Sequence, residues 1–188
     1  MSTARAPRSD AARNRAKLLT AATELFHEST GALSVEEVAQ RAGVGVGTFY
    51  RNFPTKRALL EALMVQEIDA LSAVAEQGDD SGNGLADFIT ATFRGSRFKV
   101  ELTAALEGED SGFGEDVMAA SARLRAHAGR LLADAQRSGE VRADLQLDDV
   151  LALLRAAYST TRSTESGERI ARVIVDGLRA RPVDGRRD

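Results

Sequence analysis

Residues 34–56 read SVEEVAQRAGVGVGTFYRNFPTK, and the spacing within them decides the fold. Ser34-x-x-Glu37 has the form of a capping box, in which side chains satisfy backbone amides that the first helical turn leaves free. Val35, Val38, Ala39 and Ala42 follow at helical spacing. Gly43 then suits the left-handed turn conformation, which costs other residues energy. A second short helix is predicted over Val46 to Asn52, and Pro54-Thr55 ends it and caps the next. Two short helices around a glycine-containing turn of about three or four residues make a helix-turn-helix. Ala39 lies where the helices cross, so a larger side chain there would push them apart. Val44, Phe49 and Phe53 can face the core with Val38, which leaves Val46, Gly47, Thr48, Tyr50, Arg51 and Asn52 to face outward. An ordinary helical hairpin accounts for the apolar positions but not for an exposed hydroxyl, phenol and cation beside a glycine. Those groups suit close approach to a phosphate backbone and to base edges.

Helical periodicity extends in both directions, and no stretch of useful length alternates with strand period. A first helix is expected from about Asp10 to Glu28, with Leu18, Ala22, Leu25 and Phe26 on one face. After Thr55 a helix runs to about Gln77 through Leu59, Leu60, Leu63, Ile68 and Leu71. Gly78 to Gly84 reads as a polar, glycine-rich linker. Beyond it, helices are predicted over about 85–97, 99–107, 115–138, 147–162 and 166–180. The expectation is an all-α chain of roughly nine helices. A DNA-binding domain would occupy 10–54 and a helical bundle 55–180, with disordered ends at 1–9 and 181–188.

Composition narrows the function. The chain has no cysteine, which excludes disulfides, thiolate metal sites and cysteine nucleophiles. Two histidines, His27 and His127, leave little material for a metal centre or a histidine-based triad. There is no glycine-rich phosphate loop and no nucleophile elbow. No cofactor, metal or catalytic activity is therefore expected. Met1 to Asp10 lacks the apolar core of a secretory signal, so the default compartment is the cytoplasm. No apolar run of about 18 residues suggests a membrane span. Net charge is -3, but it is unevenly spread. Residues 1–60 hold nine Lys or Arg against five Asp or Glu, a balance of +4, and the remainder balances at -7. A basic end on an acidic chain suits a nucleic-acid partner.

The run Val35-x-x-Val38-Ala39-x-x-Ala42-Gly43-Val44-x-x-Gly47-Thr48-Phe49-Tyr50-x-x-Phe53-x-x-Lys56-x-x-Leu59 closely resembles the signature of the TetR family of transcriptional regulators. Ala21-Ala22-x-x-Leu25-Phe26 matches that family's first helix, so the resemblance covers roughly residues 13–63. It implies a three-helix DNA-binding domain joined by a fourth helix to an all-helical ligand-binding and dimerisation domain. Carried onto this chain, it implies that Thr48, Tyr50 and Lys56 contact phosphates, with Lys56 helped by the N-terminus of its helix. Val46, Gly47 and Arg51 would lie in or near the major groove. Gly45 departs from the family, which often has Ser or Thr there. The change loses a side-chain cap worth only a few tenths of a kcal/mol over glycine.

In the second domain the apolar residues serve a core first. A subset is expected to line a largely apolar effector cavity: Phe93, Phe98, Leu102, Leu106, Phe113, Met118, Leu124 and Tyr158, with His127 as a polar handle. The last two helices present Val150, Leu154, Ala157, Ile170, Val173, Ile174, Gly177 and Leu178. The resemblance implies that these helices pack against their symmetry mates in a homodimer reading a pseudo-palindromic operator. The function expected is a sequence-specific repressor released from double-stranded DNA by a small molecule. An architectural DNA-binding protein without an effector is the alternative, and an enzyme stands further behind.

Overall fold

The computed structural model describes residues 7–28, 33–78, 83–94, 96–107, 112–161 and 163–180. Among these residues the chain is all-helical, with nine helices and a single isolated β-bridge. The helices are α1 (Pro7–Glu28), α2 (Val35–Arg41), α3 (Val46–Asn52), α4 (Lys56–Gln77), α5 (Gly84–Phe93), α6 (Ser96–Glu107), α7 (Glu115–Arg137), α8 (Leu147–Thr160) and α9 (Thr164–Leu178). α1 starts at Pro7, earlier than Asp10, because proline suits a first helical turn that needs no amide donor. The remaining tails, 1–6 and 181–188, over which disorder was expected, lie outside the described residues.

The break between α5 and α6 falls earlier than the apolar pattern indicates. Arg94 leaves helical geometry with φ -67 and ψ 131, so α5 ends at Phe93 and not near residue 97. Phe93 and Phe98 both enter the interior, and their burial carried the periodicity across a break that Gly95 should have signalled.

The described contacts divide the chain into two compact units. The first runs through Gln66 and includes Glu101–Val117, so it extends past the expected boundary at residue 54. In it α1, α2 and α3 pack on one another around Leu18, Ala22, Phe26, Val38, Phe49 and Phe53, all buried. Each of these side chains larger than alanine contributes roughly 1.5–3 kcal/mol by leaving water. Arg41 ties α2 to α1 through Glu28 at 2.6 Å and Glu24 at 3.5 Å, and its hydrogen bonds hold the Glu28 carboxyl below its ordinary value. On α4, Arg57 donates to Glu61 at 3.1 Å, to the Leu106 carbonyl at 3.1 Å and to the Gly112 carbonyl. Glu61 also accepts from the Gly114 amide at 3.1 Å. A cation on a carbonyl of the last α6 turn meets the negative end of that helix, a favourable placement.

The second unit comprises Glu67–Val100 and the chain from Met118 onward. α5 is its centre, packed against α9 and α8. Phe88, Ile89 and Phe93 meet Leu131 and Leu132 of α7, Val150 and Leu154 of α8, and Ile174 and Leu178 of α9 in one core. Gly167 permits the close approach of α9 to α5, since a Cβ there would stand 3.1 Å from both the Phe93 Cβ and carbonyl oxygen. The segment after α7 is pinned to the end of α9 by the Val141–Arg179 bridge, with Arg142 donating to the Leu178 carbonyl and Ala180 to the Glu140 carbonyl.

Candidate nucleic-acid interface

The helix-turn-helix forms as the spacing of residues 34–56 requires. Ser34 accepts from the Glu37 amide at 3.1 Å while Glu37 reaches back to the Ser34 amide, closing the capping box. Gly43 adopts φ +67, the left-handed region, and its amide bonds to Gln40 while Val44 bonds to Ala39. The turn so formed delivers α3 from Gly45, which caps it by backbone alone with no side-chain hydrogen bond. Ala39 is buried at the crossing.

One face of α3 is anchored and the other is presented. Phe49 and Phe53 are buried with their ring centroids 6.0 Å apart. The Arg15 guanidinium lies 4.4 Å above the Phe53 ring and donates to the Asn52 carbonyl at 3.4 Å, a brace absent from the sequence reading. On the other face Val46 is 38% and Tyr50 50% exposed, with Gly47 and Arg51 exposed beside them. The Tyr50 ring leans edge-on against Phe49 at 5.4 Å, which orients its hydroxyl without burying it. Arg51 lies back along the helix, its Nε donating to the Gly47 carbonyl at 3.1 Å. Thr48 and Asn52 are half-buried, and the Asn52 amide is turned onto the Thr48 carbonyl at 2.8 Å. That bond makes Asn52 the least available of the outward candidates. Lys56 stands exposed at the first position of α4, where Thr55 accepts from the Ala58 amide at 3.0 Å.

This arrangement has close counterparts. Residues 18–63 match the family model described as bacterial regulatory proteins, tetR family. Residues 80–180 match the C-terminal domain of the SbtR-like transcriptional regulators. This chain belongs to the TetR family. The TetR transcription regulatory protein of Mycobacterium vanbaalenii is 37% identical, with a TM-score of 0.70 over 92% of this chain and 99% of that one. A TetR transcriptional regulator of Streptomyces coelicolor is 28% identical, with a TM-score of 0.71 over 89% of this chain and 99% of that one. The transcriptional repressor KstR of Mycolicibacterium smegmatis is 30% identical over 171 residues, which is 89% of this chain and 74% of that protein. As a TetR-family member the chain is a DNA-binding regulator of transcription.

The other candidate residues of this TetR-family chain are distributed differently from the α3 face. Leu102, Leu106 and Phe113 fall in the first unit, and Phe93, Phe98, Met118, Leu124, His127 and Tyr158 in the second. Phe93, Phe98, Leu102 and Leu106 are buried, Leu124 and Tyr158 are partly buried, and Phe113 and Met118 are exposed. α7 turns Val117 and Ala120 inward in place of Met118. His127 is held by protein groups: Arg130 donates to Nδ1 at 2.9 Å, so Nε2 carries the hydrogen facing Glu76 at 3.4 Å. Two clefts in the second unit, of about 190 and 340 Å³, are lined by none of these nine residues; both include Gly78.

Among the last-helix candidates, Val150, Leu154, Ile174 and Leu178 are buried in the chain's own core, because α8 and α9 both pack on α5. Val173 is 72% exposed, Gly177 is exposed, and Ala157 and Ile170 are half-buried. Leu153, not among the expected interface residues, is 45% exposed on α8.

Proposed function

We propose that this chain is a cytoplasmic repressor that binds a pseudo-palindromic operator as a homodimer and leaves it on binding a small, largely apolar effector. The observation that carries the reading is the exposed α3 face, Val46, Gly47, Tyr50 and Arg51, continued by Lys56 at the start of α4. Tyr50, Thr48 and Lys56 contact phosphates, while Val46, Gly47 and Arg51 lie against the major groove. Repression is favoured by the likeness to KstR, a transcriptional repressor 30% identical to this chain.

A single recognition helix reaches few base pairs. Two of them about 34–36 Å apart read successive major grooves and combine their contacts. The dimer surface proposed is the outer side of α8 and α9, with Leu153 and Val173 at its apolar centre and Ile170 and Gly177 alongside. Ile174 and Leu178 serve the protomer instead. The effector binds within the helices of residues 85–162, and the DNA-bound and effector-bound forms exclude each other.

Fluorescence anisotropy against operator DNA selected from genomic fragments tests the docking. Lys56→Ala should weaken binding to all sequences and lower the salt slope by about 0.9 per lost phosphate contact. Tyr50→Phe should weaken binding with the fold intact. Wild-type affinity and salt dependence in both variants would overturn the assignment of α3 and α4 to DNA. Light scattering at micromolar concentration should show a dimer that Val173→Glu together with Leu153→Glu splits into folded monomers; a wild-type monomer would sink the two-fold reading.

A further inference from the structure

The second unit buries an ammonium group that the regulator's DNA chemistry does not use. Lys99, on α6, is only 8% exposed and shares the buried face of that helix with Phe98 and Leu102. Burying a charge is costly unless it is paired and hydrogen-bonded. Its partner, Glu67 of α4, stands at 3.8 Å, well beyond the roughly 2.7–2.9 Å of a seated charge-assisted hydrogen bond. Burial accordingly pushes the Lys99 ammonium below its ordinary value, with Glu67 offsetting only part of the effect. Tyr158 of α8 lies within electrostatic range of Glu67, and burial raises its phenol. No hydrogen bond to the Tyr158 hydroxyl is made among the described residues. α4 further carries Ser72, whose buried hydroxyl has no partner among them. Buried polar groups in folded proteins are nearly always satisfied, which sets Ser72 apart on α4.

The cluster's donors are poorly seated, the nearest carboxylate oxygen standing 3.8 Å from the ammonium. Lys99 offers three N–H groups and Tyr158 a hydroxyl, whereas Glu67 alone supplies a negative charge. The Glu67 side chain is a third exposed, so it can keep its charge hydrated when another anion takes the ammonium. A neutral ligand could accept these hydrogen bonds but would leave the buried positive charge poorly matched. Phe98 and Val100, beside Lys99 on α6, are apolar. We propose that Lys99 and Tyr158 form the polar end of the effector site, and that the effector is a largely apolar organic acid whose carboxylate bonds to Lys99. This rests on the reading that the helical bundle binds an effector.

Thermal-shift titrations of the full-length protein with octanoate and 2-naphthoate, against octanamide and 2-naphthamide, test it. The acids should stabilise the wild type saturably and bind about tenfold or more tightly than the amides, the scale of one charge-assisted hydrogen bond. Lys99→Met should lose that preference while melting at or above the wild-type temperature, because replacing a poorly paired buried charge by an apolar side chain often stabilises. Glu67→Gln should tighten the acids by removing the competing carboxylate, and it keeps the test open if Lys99→Met fails to fold. Amides that match the acids, acid binding unchanged in a folded Lys99→Met, or acids no tighter on Glu67→Gln would each overturn the proposal. Neutral compounds from a broad library binding where acids do not would overturn it alone. Binding by no compound of any kind would overturn the effector reading and this proposal together.

Discussion

Around α3 an added Cβ at Gly45 would meet nothing within 4 Å, and one at Gly47 would meet only the tip of Arg51 at 4.0 Å. In the bundle a Cβ at Gly84 would fall 2.5 Å from the Gly78 carbonyl oxygen and 2.9 Å from a Leu131 methyl. The same residue type therefore serves opposite ends. Around α3 glycine leaves open space outward, which the proposed docking gives to DNA, and in the bundle it lets the chain's own segments touch. The contrast separates two kinds of constraint, one answered by a partner molecule and one by the protein's interior. Substitutions at these positions should therefore affect binding and folding in different proportions.

The largest effect is expected at the close contact. Gly84→Ala should cost about 1–3 kcal/mol, since the atoms it meets include backbone that cannot swing aside. At this chain length that lowers Tm by roughly 2–4 °C per kcal/mol, and an unchanged melting curve would show the contact of Gly84 with the Gly78 carbonyl to be loose. Gly43→Ala comes next. There the space is open but φ is +67, so the cost is roughly 1–2 kcal/mol of backbone strain, read by chemical denaturation. A variant as stable as the wild type would mean the turn can rearrange. The smallest effect on stability is at Gly47, and it has the opposite sign. Gly47→Ala should stabilise by about 0.4–1 kcal/mol through the unfolded chain, yet weaken operator binding in an anisotropy titration. Wild-type affinity would show that the bareness of this position is not used by DNA.

The two regions also differ in how much of them the sequence makes visible. The helix-turn-helix was legible because its determinants are local: Ser34 caps with Glu37, Gly43 turns, and Phe49 and Phe53 alternate with Tyr50 and Arg51 within a few turns of chain. Even there Asn52 spends its amide on Thr48, a rotamer that spacing alone does not reveal. In the bundle the helix count was legible but the use of each face was not. The stripe through Ile170, Val173, Ile174 and Leu178 looks like one surface, yet α5 takes Ile174 and Leu178 and leaves Val173 in solvent. Which part of an apolar stripe faces inward depends on a neighbour distant in sequence. Lys99, Glu67 and Tyr158 lie on three different helices, and nothing local marks them as a cluster.

The grip of Arg57 and Glu61 on Leu106, Gly112 and Gly114 has a consequence for how the DNA-binding half is made. That unit is discontinuous along the chain, for the segment Glu101–Val117 belongs to it although Glu67–Val100 does not. During synthesis the first three helices emerge well before the carbonyls that Arg57 is to hold. A fragment truncated after Gln66 would present the same recognition helix with Arg57 deprived of its Leu106 and Gly112 acceptors. The first compact unit is thus complete only when the ribosome has passed residue 117.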